Sequence, residues 1–182
     1  CPECGSPEIR YAGIGTEKIE AAAAAIFHPA PIARMGSHTM RSAEDYETVP
    51  ERFRRGELDI LVGTQMIAKG LHFPNVTLVG LINADLGLTM PDFRAQERTC
   101  QLITQVAGRA GRGDIRGEVI IQSRNPENDT IRFAVEQDFE GFSKFDLEFR
   151  ELLDYPPFTH LIAVHFRGED EAATASFADR FT

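Results

Sequence analysis

The residues in this chain best suited to do chemistry are two arginines three positions apart, each preceded by a glycine and led by a glutamine, in Gln105-Val-Ala-Gly108-Arg109-Ala-Gly111-Arg112. Pro91 and Asp92 open what reads as a helix from Met90 to Ala110, with Cys100, Ile103, Ala107 and Ala110 on one apolar face. Residues three apart on a helix are neighbours, so Arg109 and Arg112 would project together. Gly108 and Gly111 carry no side chain that would hold a ligand or a second domain away. Guanidinium groups are planar, permanently charged and matched to phosphate oxygens, so a fixed pair suits the γ-phosphate of a nucleotide. The plainer alternative is a glycine-terminated helix with solvated arginines, or an Arg-Gly tract without order; the apolar run leading in argues for order.

Other groups invite a chemical reading. Gly63-Thr64 ends an apolar strand and offers an amide and a hydroxyl able to hold a phosphate, or else makes an ordinary strand-to-helix turn. Lys69-Gly70 is not a phosphate-binding loop, which needs Gly-Lys-Ser/Thr; Leu71 follows instead, and no other stretch fits. Cys1 and Cys4 have zinc-knuckle spacing with Gly5 to help the turn, but a closed zinc site takes four ligands. His160 and His165 do not complete it, because an odd separation in a strand turns them to opposite faces. A redox Cys-x-x-Cys is the other option, for which Gly5-Ser6-Pro7 is a poor helix start. Asp85 reads as a turn-former rather than a metal-binding acid, and Asp92 as a helix cap rather than a catalytic acid.

The elements that must position these groups follow an α/β pattern. Ile9 to Tyr11 is a candidate short strand. A helix runs from about Glu17, with Ile19, Ala23, Ile26 and Phe27 on one face, Thr16 as N-cap, Glu17 and Glu20 at the positive end, and Pro29 and Pro31 as the stop. Ile32 to Met35 reads as a strand, Gly36 to Glu47 as a loop, and Pro50 to Arg55 as a short helix. Ile60 to Val62 and Val76 to Ile82 are apolar runs expected of strands covered on both faces, and Glu118 to Gln122 is another strand. This order is the grammar of a doubly wound parallel sheet, whose ligands gather outside the carboxyl ends of the strands, where Gly63-Thr64 falls. Past Asn125-Pro126 the pattern predicts two helices, the second carrying Phe142, Phe145, Phe149, Leu152 and Leu153 and ended by Pro156-Pro157. A strand over Leu161 to Phe166 and an acidic helix over Glu169 to Phe181 follow. That last segment is too short for its own core and reads as the start of another domain.

Composition sets the class. A chain of 182 residues with 42% hydrophobic content is of globular type, and no apolar run is long enough to cross a bilayer. Without a signal-peptide pattern the expected setting is cytoplasmic, and three cysteines make no disulfide framework. The net charge of −9 is unevenly spread: residues 1–133 hold 15 basic and 17 acidic side chains, residues 134–182 hold 4 and 11. The motif-bearing part is therefore near neutral, with basic sites at Arg52, Arg54 and Arg55 and at Arg109, Arg112 and Arg116. Contact with DNA, if made, goes through a few placed groups rather than a general field.

The arginine motif resembles the last motif of superfamily-two helicases, Gln-x-x-Gly-Arg-x-Gly-Arg. The stretch from Asp59 through Gly63-Thr64-Gln65-Met66 and Lys69-Gly70-Leu71-His72-Phe73-Pro74 to Val76 resembles the preceding motif as worn by the primosomal replication-restart helicases, the primosomal protein N′ family. So do Asp92-Phe93-Arg94-Ala95-Gln96-Glu97-Arg98, the opening Cys1-Pro2-Glu3-Cys4-Gly5 and Tyr155-Pro156-Pro157-Phe158. Nearly the whole chain is covered, and the Gly-Thr-Gln-Met to Phe-Pro block is specific to that family. Family members usually carry two aspartates in the segment Arg34 to Thr39; Gly36 and His38 stand there, and that loop is given no role.

The resemblance implies a RecA-like second helicase lobe over residues 13–125, a remnant of a cysteine-rich zinc module over 1–12, and a helical linker with a truncated α+β start of a C-terminal domain over 126–182. It implies ATP hydrolysis coupled to 3′-to-5′ movement on DNA, for primosome assembly and replication restart at stalled forks. Arg109 and Arg112 would act as arginine fingers, groups worth roughly 10³–10⁵-fold in rate. Gln105 would position water or the γ-phosphate, Gly63 and Thr64 would contact DNA, and Gly70 and His72 would face the nucleotide. The wider superfamily usually has aspartate where His72 stands. Cys1 and Cys4 would be the last pair of the zinc module. ATP, Mg²⁺ and structural Zn²⁺ are the implied cofactors; single-stranded and forked DNA, single-strand-binding protein and primosome proteins the implied partners. The chain lacks the triphosphate-binding half, so by itself it is expected to be inactive. Two other classes remain open: a lobe of another motor of the superfamily, such as an RNA helicase, and a non-enzymatic binding module that keeps the fold.

Overall fold

The computed structural model describes residues 15–36, 43–68, 73, 75–108 and 117–181, which fall into two compact units, Cys1–Phe139 and Glu140–Thr182. The first unit opens with α1 (Thr16–Ile26), followed by strand β1 (Ile32–Met35), helix α2 (Ala43–Arg54) and strand β2 (Ile60–Gly63). β1 and β2 pair in parallel, from Ile32 opposite Ile60 to Met35 opposite Gly63, and α1 packs on both. Gly15, not Thr16, takes the N-cap position, its carbonyl accepting from the Lys18 and Ile19 amides. The Thr16 hydroxyl is left to accept from Arg34 at 3.4 Å. Arg34 also reaches Glu20 at 2.8 Å and Glu17 at 3.4 Å, so the acids expected to serve the helix end also clamp α1 to β1. Ile26 and Phe27, expected to share one face with Ile19 and Ala23, are 72% and 53% exposed.

α2 begins at Ala43, inside the stretch expected to be loop, and runs through Pro50 instead of starting there. Tyr46, Val49, Pro50 and Phe53 form its covered side while Glu47, Thr48, Glu51 and Arg52 are exposed. That helical spacing outweighs the interior-proline penalty of about 3 kcal/mol. Gly56, at φ +75°, turns the chain out of α2 into β2, with the Glu57 amide returning to the Arg52 carbonyl.

The second half of this unit holds α3 (Gln65–Ala68), β3 (Leu78–Leu81), α4 (Asp85–Leu88), α5 (Ala95–Ala107), β4 (Glu118–Ile121) and α6 (Asp129–Glu136). β3 and β4 pair in parallel, Leu78 opposite Glu118 through Leu81 opposite Ile121. The Glu118 amide bonds to Thr77 and the Gln122 amide to Leu81, carrying the ladder past both ends. Among the described residues the strands form two parallel pairs, β1 with β2 and β3 with β4, and parallel pairing is what a doubly wound sheet expects. β3 is not covered on both faces as expected: exposure alternates along it, as it does along β4, leaving Leu78 and Ile120 more than half exposed. The physical reason is that α5 covers β3 from one side, and the opposite face meets water.

α5 is the centre of the packing. α3, α4, α6 and β3 all rest on it, and it buries Ala95, Thr99, Cys100, Ile103 and Val106 in one stripe. It spans a shorter range than Met90–Ala110, because the chain around Asp92 turns before the helix and Gly108 closes it, donating to the Thr104 carbonyl at 3.0 Å. α6 is capped by Asn128, whose side chain accepts from the Thr130 amide at 3.0 Å. It packs on α5, so the first unit extends beyond residue 125, the boundary expected between lobe and appendage.

The second unit continues α7 (Phe139–Leu152) and ends with α8 (Glu171–Asp179). α7 buries Phe142, Asp146 and Arg150 on one stripe, with Arg150 paired to Asp146 at 2.7 Å. Leu161 to Phe166 does not form the expected strand. An extended run needs a partner ladder, and among the described residues none pairs with it. Its end is fixed by rings instead: Phe166 lies edge-on to Phe177 at 5.7 Å and Phe181 at 5.4 Å. Asp170 caps α8 by accepting from the Ala173 amide at 2.9 Å, trimming the helix expected from Glu169.

Candidate functional site

Parallel pairing puts the carboxyl ends of β1 and β2 side by side, and Gly63-Thr64 sits there. The fit at Gly63 is close. A Cβ on it would lie 2.8 Å from the Met35 carbonyl oxygen and 2.9 Å from Cγ2 of Ile67, so the strand end admits no side chain. Thr64 follows and is exposed, and its carbonyl accepts from the Ile67 amide at 3.2 Å, which turns the chain into α3. The residue pair therefore presents an accessible hydroxyl on a tightly fixed corner, suited to a phosphate oxygen.

Gln105 lies in the last turns of α5 and is exposed, away from the stripe that Ile103 and Val106 bury. Its carboxamide is free to meet a group from outside the unit. α3, which follows Thr64, rests on α5, so the Thr64 corner and the helix carrying Gln105 are joined by direct packing. Arg109 and Arg112 come directly after α5 in sequence but lie outside the described residues. So do Gly70 and His72, and Cys1 and Cys4. Phe73, just after the Gly70–His72 segment, is described and packs edge-on against Phe53 of α2 with centroids 4.9 Å apart.

The two aspartates are resolved by their partners. Asp85 is a structural acid: its Oδ2 accepts from the Arg124 amide at 2.9 Å and its Oδ1 from the Ser123 hydroxyl at 2.8 Å. The Arg124 amide first, and then the Ser123 hydroxyl, hold its carboxyl below the usual value. Among the described residues no group of three His, Cys, Asp or Glu side chains could hold a metal ion. Asp92 shapes the turn ahead of α5 rather than capping its first residue: Oδ1 accepts from the Arg94 amide at 2.9 Å, and Arg98 pairs with Oδ2 at 2.6 Å. The Arg94 amide is the main cause of its lowered pKa, with Arg98 adding charge. The sequence reading missed the Asp85–Ser123 bond, and no local pattern could reveal a contact between residues that far apart.

A cleft of about 290 Å³ opens beside Phe53, Gly56, Leu58, Phe73 and Thr77. It lies at the amino ends of β2 and β3, whereas ligands of parallel sheets gather at the carboxyl ends, so the Thr64 corner is the better candidate. Among the described residues no helix is long and apolar enough to cross a membrane.

With this geometry in hand, the relatives are informative. Residues 17–114 match the helicase conserved C-terminal domain. The chain is 48% identical over 170 residues to the replication restart protein PriA of Chlamydia trachomatis, covering 93% of this chain and 23% of that one. It is 48% identical over 180 residues to the protein of the same name from Treponema pallidum, covering 98% and 27%. Against that of Bacillus subtilis it is 43% identical over 180 residues, covering 99% and 22%. The chain thus spans about a quarter of the length of the curated relatives it matches.

Proposed function

The chain belongs to the helicase conserved C-terminal domain family, and from that membership we propose that it is the second motor lobe of an ATP-dependent 3′-to-5′ DNA helicase for primosome assembly and replication restart at stalled forks. The observation that carries this reading is the similarity to replication restart proteins, which runs through 93% and 99% of the chain for the Chlamydia trachomatis and Bacillus subtilis relatives. In this reading the two parallel pairs belong to a RecA-like doubly wound sheet, and the whole protein acts on single-stranded and forked DNA with single-strand-binding protein and primosome proteins.

The roles follow from donor chemistry. Thr64 grips a DNA phosphate without reading sequence, supported by its exposure on the closed corner at Gly63. Gln105, exposed on α5, orients the attacking water or the γ-phosphate. Arg109 and Arg112 stabilise charge on the phosphoryl group, and Gly70 and His72 face the nucleotide. ATP with Mg²⁺ supplies that phosphoryl group. The chain has no Gly-Lys-Ser/Thr loop, so the triphosphate and metal are held by another part of the protein. The residues described do not complete a zinc site: Cys100 is buried in α5, and Cys1 and Cys4 offer two ligands of the four required. In this reading zinc would be a structural ion for which Cys1 and Cys4 supply two of the four ligands.

The test is Arg112→Ala in the full-length protein. DNA-stimulated ATP turnover is expected to fall at least 10³-fold, in line with an arginine finger, with ATP binding within a few-fold of the parent. Turnover close to the parent's would remove the finger assignment.

A further inference from the structure

We infer that Asp85 is a positioning residue: it ties the carboxyl end of β4 to α4 and thereby sets the seat of α5, the helix that carries Gln105. The inference rests on the motor reading above and deepens it. Each link is a close contact. At the end of β3 the Asn83 backbone takes φ 57°, and its amide donates to Oε1 of Gln122 at 3.3 Å while the Ala84 amide donates to the Gln122 carbonyl at 3.0 Å. Asp85 then receives the Ser123 hydroxyl and the Arg124 amide, one on each carboxylate oxygen. Ser123 also accepts from the Asn125 amide at 3.0 Å, so its hydroxyl sits in the middle of the link.

From Asp85 the connection passes to α5. α4 starts at Asp85 and packs on α5, where Gly87 lies so close to Thr99 that an added Cβ would collide with the threonine hydroxyl. Thr99 is 3% exposed and its hydroxyl donates to the Ala95 carbonyl at 2.8 Å, which leaves it no room to swing away. The carboxylate at one end and the glycine at the other thus seat α4 as a spacer of fixed height between β4 and α5. A group displaced by about 1 Å from its productive geometry can lose 10²-fold in rate, so a spacer of this kind controls turnover without touching substrate.

The experiment measures kcat and KM for ATP, with forked DNA present, in the full-length protein and in Asp85→Asn, Ser123→Ala and Ser123→Thr. Thermal melting is recorded for each. The asparagine offers one acceptor where two are needed, and the alanine removes the shared hydroxyl, which threonine restores. The expected result is a fall in kcat of at least fivefold in Asp85→Asn and Ser123→Ala, with KM within twofold and kcat recovered in Ser123→Thr. A fall of less than fivefold in both variants overturns the inference, as does a parallel loss of kcat, KM and melting temperature that threonine fails to rescue. If the unaltered protein hydrolyses no ATP with DNA, the motor reading fails and takes this inference with it; an active parent with unaffected variants sinks the inference alone.

Discussion

Ile103 offers the sharpest test of the packing that holds the site together. It is fully buried in α5, the helix on which α3, α4, α6 and β3 converge. Truncation to alanine removes three carbons, worth about 2.4 kcal/mol at roughly 0.8 kcal/mol per buried methylene. The cavity left among so many neighbours closes only in part, which raises the expected cost to about 3 kcal/mol. Valine, one carbon shorter than isoleucine, should cost about 1 kcal/mol. Gln101, exposed on the same helix, serves as the control, and its replacement by alanine should change stability by no more than about 0.5 kcal/mol. Urea unfolding followed by far-ultraviolet circular dichroism reads these differences. With a slope of about 2 kcal/mol/M, Ile103→Ala should lower the midpoint by about 1.5 M and Ile103→Val by about 0.5 M. A shift for Ile103→Ala no larger than that of Gln101→Ala would refute the reasoning, because it would mean that α5 is not enclosed by the elements packed against it.

Gly63→Ala should destabilise the unit by about 1–3 kcal/mol, since the new methyl meets the Met35 carbonyl and Ile67; a neutral urea midpoint would contradict the close approach. Asn128→Ala should cost about 1 kcal/mol through loss of the α6 cap, with Asn128→Asp largely sparing it; thermal melting of the two variants decides. Asp85 has a folded pKa below its ordinary 3.8, so its contribution is fully present above that value and is lost as pH falls through the lower folded one. The stability gap between the parent and Asp85→Asn should therefore hold steady from pH 7 to about 5 and narrow below about 4. Urea titrations across that range showing a constant gap would count against the bond.

What the sequence disclosed was whatever repeats locally. The apolar run ending in Gly63-Thr64 marked a strand end, and the spacing of Cys100 and Ile103 marked the buried side of α5, because both depend on neighbours within a few residues. Pro50 concealed the first turns of α2: a proline is read as a helix start, yet the covered stripe from Tyr46 to Phe53 carried the helix through it. The run from Leu161 to Phe166 has strand-like composition, but a strand exists only with a ladder partner, and that information lies elsewhere in the chain. The Asp85–Ser123 bond and the seat of Gly87 on Thr99 join segments far apart in sequence, and no local pattern encodes them. The roles assigned to Arg109, Arg112, Gly70, His72, Cys1 and Cys4 rest on sequence, since those residues lie outside the described ones.

The crowding at Gly63 has a mechanical consequence. With no clearance for even a methyl group between neighbouring strand and following turn, that corner has little compliance. A tug on Thr64 from a gripped nucleic acid would reach β1 almost undamped, and through Arg34 and Glu20 it would travel on into α1. A motor that steps along a track loses stroke wherever its grip can stretch; on the proposed reading, the missing side chain at Gly63 would keep that grip stiff.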